Sequence, residues 1–358
     1  MWAFLSQPDS DLQTVIAGGV AAAAAVATLV LFCSTLLLRF ATIRGERRRR
    51  AVIKRWRRVF AAATLSETEA REGVLPRYAR RERAYLLEEW NSAREFVEGE
   101  SLGNLIVLAG RLEFGALARK MLNRRKLNPR LLAIRTLGHL GDSSEWKSLV
   151  ALLDHPNTAL SATAGIALVQ IDAAEAIRLV MPHIIERTEW PPATVSRILK
   201  TAGPSLITQP LCNAILTSSP ATSVRLLRYA ELARTETVDQ LVEMMLRDRK
   251  EPAVLAALIK AASSQAGVPG IAKLAAHEAW FVRVQAAKLL GRVGQERDLP
   301  LLEKLLCDGE WWVRYRAARA IVSLPFLGPN ALRQLKDRQN DRFAADMMEQ
   351  AMAEVGLG

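Results

Sequence analysis

Between Thr14 and Leu38 the chain runs for 25 residues without a charge. An α-helix rises ~1.5 Å per residue, so this run spans a ~30 Å hydrocarbon layer with some tilt. The pattern then changes. In RGERRRRAVIKRWRRVFAAA, Val52, Ile53, Trp56, Val59 and Phe60 recur at helical spacing among Arg49, Arg50, Lys54, Arg55, Arg57 and Arg58. This is a basic amphipathic helix. Farther on, apolar stripes recur in segments of about a dozen residues, as in Val313, Ala317, Ala320 and Ile321 or Leu302, Leu305 and Leu306. Nothing in 100–340 alternates as a run of strands would, and the expected class is all-α.

The apolar run divides the chain. A tail (1–13) precedes a transmembrane helix (14–38), and an amphipathic juxtamembrane helix (39–63) follows. A polar linker (64–76) carries a helix-start signal in Ser66 and Glu69. Residues 77–127 form a helical N-terminal cap, with Leu86, Trp90, Ala93 and Val97 on one side. Repeats occupy 128–339, and a capping helix closes the chain at 340–358. A cleaved signal peptide needs a basic start and a small-residue site after its core. Here Asp9 and Asp11 precede the run and Arg39 follows it.

Half of the residues are apolar and 6% aromatic, with Leu and Ala prominent, which favours helices over sheets. The net charge of +12 is concentrated: ten Lys/Arg against Glu46 lie within 39–58, leaving +5 over the last 300 residues. Cations stay on the cytoplasmic side, so the expected topology is single-pass, N-terminus out, in a bacterial-type inner membrane with the repeats in the cytoplasm. Arg49, Arg50, Lys54, Arg55, Arg57 and Arg58 would meet anionic lipid headgroups, with Trp56 at the interface. Topology accounts for this basic block, so no nucleic acid is expected. Gly18 and Ala22 could admit another helix, although an Ala-rich span shows such pairs by chance. Cys33, Cys212 and Cys307 are far apart and odd in number, which fits a reducing compartment.

Internal similarity is the strongest signal. LGHLG (Leu137–Gly141) returns as LGRVG (Leu290–Gly294), 153 residues later, or five periods near 30. WFVRVQAAKLLG from Trp280 returns as WWVRYRAARAIV from Trp311, 31 residues on. Val-Arg pairs stand at 224, 282 and 313, and acids precede such helices at Asp154, Asp248 and Asp308. Repeat starts fall near 128, 157, 190, 220, 250, 279 and 310. A lone helix pair cannot bury its stripe, so the pairs must stack.

The pattern Asp…Val-Arg…Ala-Ala…Leu-Gly…Gly resembles HEAT repeats, specifically the short HEAT-like type also seen in phycobilin lyases. The resemblance implies a right-handed α-solenoid with a ladder of Asp and Arg side chains linking successive units, here Asp308, Arg314, Arg283 and Arg225. At the ladder's Asp position His277 precedes Arg283 and Ser219 precedes Arg225, while Leu255 follows Asp248 where Arg is asked for. The middle of the array (157–275) should therefore be less regular, or altered for packing or binding.

No enzyme signature is present. His139, His155, His183 and His277 have no ligand-spaced partner, no nucleophile elbow or phosphate loop occurs, and acids such as Glu88 and Glu89 sit on helical surfaces. No metal, cofactor or small-molecule substrate is expected. Trp and Arg concentrate binding energy at interfaces. Trp280 and Trp311 should pack between repeats, whereas Trp312, Arg316 and Arg319 fall off the apolar stripe and are the candidate partner-binding residues. Anchor and repeats together suggest a membrane-tethered scaffold for a membrane-associated protein partner, such as an accessory subunit of an envelope-biogenesis complex. Nucleic-acid binding by the repeats, or a bilin-lyase-type activity, are the alternatives.

Overall fold

The structure, a computed structural model, describes residues 9–79, 82–264, 268 and 270–357, with side chains from residue 16 onward except at 41. Residues 1–8 of the expected tail lie outside this set. All regular structure among the described residues is helical, and the chain divides into two compact units, Met1–Met121 and Leu122–Gly358.

The first unit is built on one long helix, α1 (Asp9–Leu65), with α2 (Glu67–Glu72), α3 (Arg83–Arg94), α4 (Gly99–Arg111) and α5 (Phe114–Leu122). The segment of α1 from residue 16 to residue 40 is exposed at every described position, and its apolar window has a mean hydropathy of 2.3. It is long and apolar enough to cross a membrane. Farther along, Val52, Trp56, Phe60 and Ala63 are buried where α3 and α4 pack on α1. Trp56 is fully covered, its ring 5.9 Å from Phe60 and 5.5 Å, edge-on, from Tyr78.

The expectation that Trp56 sits at a lipid interface is therefore corrected. The apolar stripe of the basic segment is used up by protein packing, and α1 continues through 38–39 without a break. Arg48 pairs with Glu82 at 3.0 Å, Arg49 with Glu88 at 2.8 Å and Arg57 with Glu89 at 2.8 Å, while Arg50 pairs with Glu46 along the helix at 3.0 Å. Lys54, Arg55 and Arg58 remain exposed. The segment expected as a linker contains α2, capped by Ser66, which accepts from the Glu69 amide. Arg111 of α4 donates to the Ala70 and Gly73 carbonyls at the end of α2.

The second unit is a stack of helix pairs. First helices are α6 (Leu127–Leu140), α8 (Thr158–Ile171), α10 (Pro192–Ala202), α12 (Pro220–Leu227), α14 (Pro252–Ala261), α16 (Trp280–Val293), α18 (Trp311–Val322) and α20 (Arg342–Glu354). Second helices are α7 (Trp146–Ala151), α9 (Ala173–Glu186), α11 (Pro204–Thr217), α13 (Thr235–Asp248), α15 (Ile271–Ala275), α17 (Leu299–Leu306) and α19 (Pro329–Asp337). Proline opens α10, α11, α12, α14 and α19, where its missing N–H leaves no intrahelical bond unmade. Neighbouring first helices pack side by side, α6 on α8, α14 on α16 and α16 on α18. The repeated Leu-Gly explains how. A Cβ on Gly138 would stand 2.7 Å from the Ala167 Cα, and one on Gly291 would stand 2.8 Å from the Ala320 Cα. Both glycines sit where one first helix crosses the next, and a methyl group would force the two apart.

Candidate interaction face

The predicted ladder residues come together at one junction. Arg283 donates from Nε and Nη2 to the two carboxylate oxygens of Asp308, both at 2.7 Å, and the pair is largely buried. Its Nη1 donates to the His277 and Glu278 carbonyls, while Asp308 also accepts from the Glu310 amide at 2.9 Å. Arg314 repeats half of this, donating from Nη1 to the Asp308 and Gly309 carbonyls. The equivalent of Asp308 one unit on is Gln339, and Arg314 Nε is buried without a partner, its guanidinium lying 5.3 Å over the Phe343 ring. The same defect recurs at the first junction. Arg130 and His155 occupy the places of Arg283 and Asp308, 153 residues earlier, and Arg130 Nε is likewise buried and unpartnered.

Histidine supplies only part of what aspartate does. His155 and His277 accept from the amides of Asn157 and Ala279 through Nδ1, as Asp308 does from Glu310. A neutral imidazole cannot also receive an arginine fork. Where His277 stands, the preceding unit has Leu255 in place of the arginine, so no guanidinium at that position requires an aspartate.

Arg225 belongs to a different set of links. It reaches back to the Ile184 and Ile185 carbonyls at the end of α9. Arg187 donates to the His155 carbonyl, Arg249 to Leu216 and Arg292 to Ala262. Cations at helix C-termini satisfy carbonyls that have no intrahelical donor. In the middle of the array Trp190 is buried, donates to Ser161 Oγ at 2.9 Å and stacks on His183, whose Nε2 lies 2.9 Å from Asp154. These contacts pack α8, α9 and the start of α10 together.

Trp312, Arg316 and Arg319 lie on one stripe of α18, at i, i+4 and i+7. Trp312 is 52% exposed. Trp280 and Trp311, expected between repeats, are instead 41% and 40% exposed. They stand at the first turns of α16 and α18, which the neighbouring helices do not cover. Phe281 and Phe343 join them, giving an aromatic row across the starts of α16, α18 and α20. The row is internally ordered: Trp311 stacks on Tyr315 at 5.2 Å, Trp312 meets Trp311 edge-on at 4.7 Å, and Phe281 meets Trp280 edge-on at 5.9 Å. Arg316 lies over Tyr315 at 5.4 Å. Arg319 is already engaged, by Tyr315 Oη at 3.4 Å and Glu354 at 3.2 Å, which hold its guanidinium above its ordinary range.

Moving the stripe back by the 31-residue period maps Trp312, Arg316 and Arg319 onto Phe281, Gln285 and Lys288. This offset was readable from the chain and identifies Lys288, which single-residue reasoning misses. The face therefore has two parallel bands, aromatic at the helix starts and basic one to two turns farther on.

A stack of helix pairs joined by Arg–carbonyl and Arg–Asp links is a helical-repeat architecture. A family model described as HEAT repeats matches residues 238–322 and 268–353. The second match runs into α20, the last helix of the chain. Among solved structures, the crystal structure of an engineered protein from the Northeast Structural Genomics Consortium is 15% identical, covers 86% of this chain and 95% of its own, and superposes with a TM-score of 0.32. No curated protein matches the chain.

Proposed function

We propose that the chain is a membrane-anchored scaffold whose HEAT-like unit binds a partner protein on the cytoplasmic side of a bacterial-type inner membrane. The observation that carries the binding role is the aromatic row. Five large aromatic side chains, Trp280, Phe281, Trp311, Trp312 and Phe343, stay exposed on three successive helices of one face. Exposed apolar patches rimmed by polar groups mark interaction sites. HEAT repeats commonly serve protein–protein interaction, which supports a scaffold over an enzyme.

The anchor reading rests on the uncovered apolar part of α1 and on the block of cations that follows it. Because α1 is unbroken, Lys54 lies ~22 Å along the helix axis beyond Arg39. Screening at physiological salt falls off over ~8 Å, so a helix near the membrane normal keeps Lys54, Arg55 and Arg58 out of the headgroup field. Headgroup contact passes to Arg39, Arg44 and Arg47. A partner in the same membrane meets the scaffold at raised effective concentration, because the anchor confines both to one layer.

The test is cross-linking in intact membranes, gentle detergent extraction and affinity purification of the full chain. A defined stoichiometric partner, lost on Trp312→Ala/Phe343→Ala, is the expected result. Recovery of the protein alone overturns the scaffold reading.

A further inference from the structure

We infer that the groove across α14, α16 and α18 binds an extended, acid-rich segment of the partner protein. The inference rests on the scaffold reading and names the chemistry of its ligand.

Lys260, Gln285, Lys288, Arg292 and Arg316 line a cavity of about 320 Å³ with no carboxylate among them. Three successive helices contribute a cation each, and α16 a second. Arg292 is tied to the Ala262 carbonyl. Lys260, Lys288 and Arg316 form no ion pair among the described residues, unlike Arg283, Arg319 and Arg338, which are matched by Asp308, Glu354 and Glu303. Partial burial and the charges of Arg316 and Lys260 push the Lys288 ammonium below its ordinary range. Clustering like charges opposes folding, and no carboxylate among the described lining residues offsets it. An arriving anion would.

The layout selects the shape of that anion. Neighbouring helices pack ~10 Å apart, so a ligand touching all three covers ~20 Å, or about six residues of extended chain. Phe281 and Trp312 stand one helical turn before Gln285 and Arg316 on the same stripes, so apolar residues interleaved with the acids would meet the aromatic band. The basic strip is short. Glu231 enters the adjoining cavity beside Arg228, and Glu354 neutralises Arg319 at the other end. Such a strip suits a peptide segment better than the long, continuous phosphate track of a duplex.

The experiment uses the full chain in lipid nanodiscs and a fluorescein-labelled glutamate decamer. Saturable, salt-sensitive binding is expected, weakened about tenfold in Lys288→Glu/Arg316→Glu and by a smaller factor in Lys288→Gln/Arg316→Gln. Both variants change solvent-accessible positions, and unchanged helical circular dichroism with a melting temperature no lower than wild type shows that the fold is kept. Absent binding, or equal binding by wild type and both variants, overturns the inference. So does duplex DNA, or vesicles containing phosphatidylserine, displacing the decamer at lower concentration through the same residues. Partner recovery from cross-linked membranes separates the two readings. If the double-Glu variant retains the partner that Trp312→Ala/Phe343→Ala loses, the scaffold stands and the acidic-segment inference falls. If wild type recovers no partner, the scaffold reading itself falls.

Discussion

Replacing Asp308 by alanine should destabilise the second unit by about 3 kcal/mol. The carboxylate receives two charge-assisted bonds from Arg283 at 2.7 Å and the Glu310 amide at 2.9 Å, with 15% and 12% of the two side chains exposed. Removing one partner of a buried ion pair costs ~3–5 kcal/mol, because the other charge is left uncompensated. The lower end applies, since the remaining exposure admits water and Arg283 Nη1 keeps the His277 and Glu278 carbonyls. Asp308→Asn retains the Glu310 bond and one acceptor for Arg283, so it should cost about half as much. The decisive variant is Arg283→Leu/Asp308→His, which copies the Leu255/His277 junction one unit earlier. It removes the charge together with its partner and should recover to within ~1 kcal/mol of wild type. Stacked repeats need not unfold in one step. Denaturation followed by circular dichroism should therefore be paired with hydrogen exchange over α17 and α18. A loss below ~1 kcal/mol for Asp308→Ala, or a double variant no better than the sum of its singles, would refute the reasoning.

Three further perturbations follow from the same geometry. Gly138→Ala and Gly291→Ala should each lose ~1–3 kcal/mol, since the new methyl group meets backbone at 2.7 or 2.8 Å; a melting temperature unchanged in both would deny the close crossing. His155→Asp should raise stability by ~1 kcal/mol by offering the orphaned Arg130 Nε an acceptor, and Gln339→Asp should do the same for Arg314, both read as an upward shift in melting temperature. Trp56→Ala should cost ~3–5 kcal/mol and loosen α3 and α4 in hydrogen exchange, whereas a side chain lying in lipid would leave both unchanged.

The helices and their phase were legible because a solenoid writes its packing into a short period. First helices begin at Leu127, Thr158, Pro192, Pro220, Pro252, Trp280 and Trp311, against expected repeat starts of 128, 157, 190, 220, 250, 279 and 310. What periodicity cannot carry is the identity of the surface that covers a stripe. Val52, Trp56 and Phe60 make the same amphipathic pattern whether lipid or protein lies opposite, and only α3 and α4, farther along the chain, decide it. The burial of Trp280 and Trp311 depends on how far each neighbouring helix reaches, a length set outside the repeat that holds them. Links such as Arg225 to the Ile184 carbonyl leave no trace in side-chain identity, because every residue offers a carbonyl. Ladder defects were legible in principle. An arginine at 130 or 314 with no aspartate 25 residues later predicts an unpaired Nε, and Arg130 Nε and Arg314 Nε are both buried without a partner. This array matches its arginines with acids or carbonyls at most junctions, so Lys260, Lys288 and Arg316, which form no ion pair among the described residues, point to an anion brought by the partner.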